Sequence, residues 1–302
     1  MAAPRLLVFG RTGQVAQALA AHTGAACIFL GREDADLLKP ESVIPPIAQY
    51  AGQIDIVVNA AAYTAVDKAE SEPDLARRVN AEAPGEMAQA CTRVGMPFVH
   101  LSTDYVFDGS GNAPKSEDEP IAPLNVYGRT KAEGEARVLE AGGVPFVLRT
   151  SWVYAPWGTN FVRTMVRLGA EREEMKIVAD QIGAPTSAMD IARGIVTLAT
   201  AVRDGARFPG VYHMTAQGEA SWYDLAAAIF AQAARRGRKV PGRVLPIPSA
   251  EYPTPARRPL NSRLNGAKLE KTYGIKLPQW TESLSQVMDT ILNEHVQERP
   301  KA

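Results

Sequence analysis

Leu6-Leu7-Val8-Phe9-Gly10-Arg11-Thr12-Gly13-Gln14-Val15-Ala16 is the stretch on which the reading of this chain turns. A short apolar run ends at Gly10, and amphipathic residues follow to about residue 22. Gly10 and Gly13 permit a tight turn and the close approach of a pyrophosphate to backbone N–H groups. The helix that opens there favours negative charge at its N-terminus. Ala16, at the third small position, lets helix and sheet pack closely. A glycine-rich string alone is weak evidence of a nucleotide site. Its place after the first strand of a strand–helix–strand unit makes it specific.

Working outward, further apolar runs occur at 27–30 (Cys27-Ile28-Phe29-Leu30, ending at Gly31), 54–59, 97–101 and 145–148. Helix-length segments lie between them, notably 72–94 and 125–141. Apolar runs without strict alternation, separated by helices, predict a parallel sheet buried on both faces. The fold class is therefore α/β, a doubly wound (Rossmann) sheet. After about residue 152 the rhythm changes. Helical segments near 159–171, 188–203, 221–236 and 281–296 are separated by loops rich in proline and glycine, and 241–259 holds six prolines and cannot be regular helix. This predicts a smaller, irregular α/β substrate domain. The boundaries are 1–152 plus about 185–214 for the dinucleotide-binding domain, and 153–184 with 215–302 for the second.

The 302 residues balance 33 basic against 33 acidic side chains. A neutral overall field argues against nucleic-acid binding, and the basic patch Arg235-Arg236-Gly237-Arg238-Lys239 sits where cations suit the end of a helix. The two cysteines, Cys27 and Cys91, lack a neighbouring cysteine or histidine, which argues against a zinc site, a redox pair or a disulfide framework and fits a reducing cytoplasm. Met1-Ala2-Ala3-Pro4-Arg5 leads directly into the first strand, with no run long enough for a signal peptide or membrane span. The expectation is a cytoplasmic protein with no membrane partner.

NAD sites usually place an acid at the end of the second strand, to bind ribose hydroxyls. Here that strand ends Leu30-Gly31-Arg32, and Glu33 and Asp34 come only beyond it. Arg32, with Arg11 from the first loop, suits a 2′-phosphate. NADPH is the favoured coenzyme, with NADH left open. Asn59-Ala60-Ala61-Ala62, small and mostly apolar, suits a wall close to the coenzyme.

Tyr127-Gly128-Arg129-Thr130-Lys131 places a phenol and an ammonium on one face of a helix. The cation is expected to draw the tyrosine pKa down from about 10. Such a phenol can protonate a carbonyl oxygen while hydride reaches the carbon, and Lys131 would also hold the nicotinamide ribose. The fourth strand ends Leu101-Ser102-Thr103-Asp104-Tyr105. Hydroxyls there stand at the carboxyl end of a central strand, where open α/β sheets bind ligands. Thr103, or Ser102, is the carbonyl's second hydrogen-bond partner.

Together these pieces resemble the extended short-chain dehydrogenase/reductases. Asn80, in Arg78-Val79-Asn80-Ala81, looks like that superfamily's coenzyme-side asparagine. Longer segments narrow the resemblance to dTDP-4-dehydrorhamnose reductases: 59–73 (NAAAYTAVDKAESEP), 102–109 (STDYVFDG), 123–131 (PLNVYGRTK), 149–154 (RTSWVY), 180–186 (DQIGAPT) and 252–264 (YPTPARRPLNSRL). The resemblance runs from about residue 5 to 296. It implies reduction of the C4 ketone of dTDP-4-dehydro-L-rhamnose by NADPH to give dTDP-L-rhamnose, a cell-surface polysaccharide precursor. Tyr127 would be the proton donor, Lys131 its activator and Thr103 a carbonyl partner. Gly13, Gln14, Val15, Ala62, Tyr63 and Thr64 match coenzyme-contacting positions. Trp152 and Asp104 border the sugar. From their own chemistry, Arg257 and Arg258 are candidates to neutralise a diphosphate. Asn160 and Phe161 are candidates for the substrate's nucleotide part, with Phe161 equally readable as a core residue.

Some members of the family form dimers around a magnesium bridged by glutamates. The matching positions here are Ala18, Met189 and Thr290, of which neither alanine nor methionine is a hard oxygen ligand. No metal-bridged dimer is expected, and a monomer or weak homodimer is the reading. Two alternatives stay open: from a different class, a non-catalytic nucleotide-binding regulatory subunit, as in methionine adenosyltransferase beta subunits, and, within enzymes, an epimerase or dehydratase that recycles a bound coenzyme. A reductase of another keto sugar nucleotide is the third.

Overall fold

The computed structural model describes residues 3–22 and 24–297, with side chains described as far as Asn293. Residues 1, 2 and 298–302, at the outer ends of the two expected domains, lie outside the described residues.

Five of the apolar runs form strands β1 (Arg5–Phe9), β2 (Ala26–Leu30), β3 (Ile56–Asn59), β4 (Phe98–Thr103) and β5 (Pro145–Thr150). A sixth strand, Gly210–His213, was not read from the sequence. It is four residues long at the sheet's edge, and Gly210 and His213 at its ends leave no continuous apolar run. All six are parallel, in the order Gly210–His213, β5, β4, β3, β1, β2. The order reverses between β1 and β3, so the crevice outside their carboxyl ends is where an α/β sheet of this kind takes a ligand.

One face of the sheet packs Leu6, Val8, Ile56, Val58 and Leu148 against helices Gln14–Ala21 and Ala188–Arg203. The other packs Leu7, Phe9, Val57 and Val147 against Ile44–Tyr50, Ala83–Arg93 and Val138 of the helix Val126–Glu140. Each strand thus sends alternate residues into two apolar layers, which is why its sequence reads as a continuous run. A separate apolar cluster gathers helices Phe161–Glu171, Trp222–Arg235 and Trp280–Gln297 around Tyr154, Leu225 and Leu284. Strands Glu174–Val178 and Arg243–Ile247 pair there in parallel, the second of them inside the proline-rich stretch.

The segment 72–94 is one interrupted helix. Pro73–Arg77 runs into a wide π turn at Arg78–Glu82, and Ala83–Arg93 continues from it. The N–H of Ala83 bonds the carbonyl of Arg78, five residues back. Pro84 follows and has no N–H to return to Asn80, so the ladder is broken at that carbonyl. The Val126–Glu140 helix closes on it through a glycine: a Cβ at Gly134 would lie 2.1 Å from the Asn80 carbonyl oxygen. We predict that Gly134→Ala lowers unfolding free energy by about 1–3 kcal/mol, read as a lower urea midpoint at unchanged m-value. An unchanged midpoint would show that the two helices separate freely.

Candidate active site

The loop after β1 is shaped by close backbone approach. Gly10 has φ +100°, and a Cβ there would sit 3.2 Å from the backbone nitrogen of Ala61 in the loop after β3. The helix Gln14–Ala21 starts from Gly13 with no side-chain cap, leaving its first N–H groups facing outward for an anion. A cavity of about 640 Å³ opens beside this loop, lined by Gly10, Arg11, Gly31, Arg32, Ala62 and Tyr63 among others. A dinucleotide fits this set: a bare helix start for phosphate, glycine where a side chain would intrude, and an apolar floor.

The coenzyme-side residues divide by what their side chains do. Arg11 pairs with Glu33 and, at 2.6 Å, with Asp34, and Arg32 reaches Asp36 at 3.3 Å. All are exposed pairs of small net value, which a phosphate can displace. Val15 is buried in the core, so only its backbone is available to a ligand. Gln14 turns across the molecule: its Oε1 accepts from Asn160 Nδ2 at 3.0 Å, its backbone carbonyl from Trp157 Nε1 at 3.2 Å. Asn80 is fully enclosed. Its Oδ1 accepts from the Tyr63 N–H at 2.8 Å, while its Nδ2 donates to the Tyr63 carbonyl and to Thr130 Oγ1. It holds the coenzyme wall in place through Tyr63. Ala62 is half-buried and Thr64 exposed.

The groups read from the sequence as catalytic stand at the carboxyl end of β4. Asn125 caps the Val126–Glu140 helix by accepting from the Gly128 N–H at 2.8 Å. Gly128 then lets the helix come against Tyr105, since a Cβ there would lie 2.2 Å from the Tyr105 carbonyl oxygen. Tyr127 is thereby set edge-on to the Tyr105 ring, centroids 5.6 Å apart, on the side of Thr103, whose hydroxyl offsets part of the rise in the phenol's pKa. Thr103, rather than Ser102, is the residue brought to Tyr127. The Ser102 hydroxyl is buried without a partner among the described residues. One turn on, Lys131 is 1% exposed, and its Nζ donates to the Leu101 carbonyl at 2.6 Å.

One expectation is corrected here. Lys131 does not draw the Tyr127 pKa down. Burial pushes the phenol above its ordinary value, the Thr103 hydroxyl partly offsets this, and Asp104 and Tyr105 add to the rise. Burial likewise lowers Lys131 to about 8, with Glu135 opposing. Desolvation penalises the charged form of both groups, and the lysine spends its hydrogen bonding on β4.

The substrate side comes from the second lobe. Arg258 is half-buried, bonding Asp67 Oδ2 at 2.7 Å and Tyr105 Oη at 3.3 Å, and it borders a cavity of about 340 Å³ with Phe161, Gln181, Trp222 and Tyr252. Arg257 is exposed, while its carbonyl accepts from Asn125 Nδ2 at 2.8 Å. Trp152 has φ +50°, the one non-glycine residue with positive φ among those described. Its ring lies flat on Trp222, 3.6 Å between centroids and 9° between planes, over Gly183. A bulky residue in that backbone region is strained and persists only where packing determines it. Asn160 was read as a substrate contact, but its amide is occupied. It caps the helix at Arg163 and donates to Gln14, Ala155 and Trp157. Trp222, Gln181 and Tyr252 were not singled out, although Gln181 and Tyr252 lie in segments that carried the family resemblance.

Asp104 is 3% exposed and accepts from Thr103 Oγ1 at 3.0 Å. Burial pushes its carboxyl up to about 6, against the Ser262 and Thr103 hydroxyls. A raised carboxyl gives its full stability below the unfolded value near 4 and loses it as pH rises through 6. Asp104→Asn removes that loss. We predict that the variant gains about 1–3 kcal/mol over the parent at pH 8, with the gain vanishing at pH 4. A gain independent of pH in chemical unfolding would contradict the assignment.

The RmlD substrate binding domain model matches residues 4–293. The dTDP-4-dehydrorhamnose reductase of Burkholderia thailandensis is 47% identical, covering 96% of this chain and 100% of that protein. The Escherichia coli K12 protein of the same name is 42% identical over 95% and 97%. Among solved structures, a dTDP-4-dehydrorhamnose reductase from Bacillus anthracis in complex with NADP superposes with a TM-score of 0.87 at 34% identity, covering 95% and 99%. An ortholog from Clostridium acetobutylicum gives 0.86 at 36%, again over 95% and 99%. With its fold, its glycine loop and nearly all its length accounted for in this way, the chain belongs to the RmlD substrate binding domain family.

Proposed function

We propose that this chain reduces the C4 ketone of dTDP-4-dehydro-L-rhamnose to the alcohol of dTDP-L-rhamnose, with NADPH as reductant. The observation that carries the reading is that Tyr127 stands near Thr103 at the carboxyl end of β4, one helical turn from buried Lys131, and packs in one apolar cluster with Tyr63, which lines the cavity at the glycine loop. The relatives named for this reaction, and a neighbour solved with NADP, support the substrate and coenzyme.

The loop Gly10–Val15, the wall Ala62–Thr64 and Lys131 would hold the coenzyme, with Arg11 and Arg32 at its 2′-phosphate. When bound, it supplies the hydride. Everything else is done by the chain's own groups. Tyr127, neutral because it is buried, holds the proton that the substrate's oxygen must receive. A phenol that stays protonated is what a donor in the reducing direction requires. Thr103 donates its one hydroxyl proton to Asp104 in this structure and would turn it to the same oxygen when substrate is bound. Arg258, held by Asp67 and Tyr105, and exposed Arg257 neutralise the diphosphate. Trp152, fixed against Trp222, forms a wall for the sugar. Asn80 and Asn160 act through Tyr63 and Gln14.

The division at 1–152 with about 185–214, against 153–184 with 215–302, is kept as the functional division: coenzyme on the first, diphosphate and sugar walls on the second. The chain is read as a cytoplasmic monomer or weak homodimer. Cys27 and Cys91 are unpaired, and no helix among the described residues is long and apolar enough to cross a membrane. Ala18 and Met189 offer no ligand for a bridging magnesium, and the described residues contain no cluster of carboxylates, histidines and cysteines for a metal.

Tyr127→Phe is expected to lower kcat by about 10²–10⁴-fold with NADPH affinity nearly unchanged, measured as NADPH oxidation on dTDP-4-dehydro-L-rhamnose. Full activity in the variant, or no oxidation by the parent enzyme, would sink the reading. Arg32→Ala is expected to reduce the NADPH-to-NADH ratio of kcat/KM by about three- to tenfold; an equal ratio would remove Arg32 from the 2′-phosphate site.

A further inference from the structure

His100 lies in the middle of β4, fully buried, directly opposite Asn59 of β3. Its Nδ1 is 3.1 Å from Asn59 Nδ2, and its Nε2 is 3.3 Å from Lys131 Nζ. Asn59 Oδ1 accepts from the Ala61 N–H at 3.1 Å. A backbone N–H can only donate, so the Asn59 amide must present its oxygen to Ala61 and its NH₂ to His100. Nδ1 of His100 must then accept. A neutral ring in that state carries its proton on Nε2, aimed at Lys131. That N–H can bond Lys131 only through a nitrogen lone pair, which an amine has and an ammonium lacks.

We propose that His100 is a positioning residue for Lys131: a one-way hydrogen-bond chain from the Ala61 N–H through Asn59 and His100 ends on the lysine nitrogen, holds it against Leu101, and favours its amine over its ammonium form. The proposal rests on the reading of Lys131 as the partner of Tyr127 and deepens it. Burial, with the Lys131 charge second, keeps His100 well below its ordinary pKa, so the doubly protonated ring is not available to it. The other charged or titratable groups around Lys131 are few. Glu135 on its own helix favours the ammonium but is bonded twice by buried Arg149 of β5, at 2.9 and 2.7 Å. Asp104 follows β4, and Tyr127 precedes Lys131 by one turn. A lysine poised between its two forms exchanges a proton readily near neutral pH, which suits a neighbour that must be a phenol again at each turnover.

Long-range proton–nitrogen spectra of the whole enzyme labelled with ¹⁵N-histidine test the tautomer directly, the His100 signals being assigned by their loss in a His100 variant. The expected result is a bare Nδ1 and a protonated Nε2, unchanged between about pH 5 and 8; a protonated Nδ1 overturns the proposal. The same chain is tested by kcat/KM profiles. His100→Leu removes the donor, and Asn59→Asp offers an acceptor to Nδ1 and so reverses the direction. In both, the limb of the profile that follows Lys131, which burial lowers to about 8, should move up by about one unit, a tenfold change in the amine fraction. A uniform loss of turnover with no movement of the limb would make His100 a packing residue only. Should either variant fail to fold, the tautomer of the parent enzyme still decides. That measurement needs no turnover, so it stands apart from the fate of the reductase reading.

Discussion

Gly128 and Gly134 bring the Val126–Glu140 helix so close to its neighbours that any side chain would strike a carbonyl oxygen, of Tyr105 in one case and of Asn80 in the other. This seating is the constraint from which the site follows. At its first turn it sets Tyr127 against Thr103. At its second it drives Lys131 under β4, where the carbonyl of Leu101 accepts a hydrogen bond from it. Further along, Glu135 meets Arg149 in an ion pair 2% exposed on both sides, with the guanidinium over the Phe107 ring. Removing one partner of such a pair leaves a buried charge. The helix is thus locked at both ends of the catalytic stretch.

Desolvation rather than local charge governs the titrating groups. Tyr127 and Asp104 are raised and Lys131 is lowered, each with burial as the largest cause. A pocket that favours neutral forms keeps the phenol protonated for donation and the lysine near the balance point. The same low polarity strengthens the few hydrogen bonds that Thr103, Asp104 and His100 make.

Several residues whose types suggest ligand contact work by tying elements together. Gln14, Trp157 and Asn160 join the glycine loop to the start of the Phe161–Glu171 helix. Asn125 caps the Val126–Glu140 helix and holds the backbone of Arg257, coupling the helix of the proposed proton donor to the loop of Arg257 and Arg258. Asn80 fixes the wall at Tyr63. In each case a short amide side chain satisfies backbone groups that a loop would otherwise leave unpaired.

The sequence by itself determined the alternation of buried strands and helices and the glycine loop after β1, and it singled out Tyr127, Lys131 and Thr103 as candidates. These are legible because they depend on local spacing: apolar runs, a turn that only glycine adopts, and residues one helical turn apart. The family resemblance pointed to the same residues and named the reaction. Tertiary structure alone decided what spacing cannot carry. It added the Gly210–His213 strand at the sheet edge, paired Trp152 with Trp222 and placed Gln181 and Tyr252 beside Arg258. It also placed the Lys131 nitrogen against His100 and the Leu101 carbonyl. Pairings of this kind join residues tens of positions apart, and the sign of a pKa shift depends on how much water the assembled neighbours exclude.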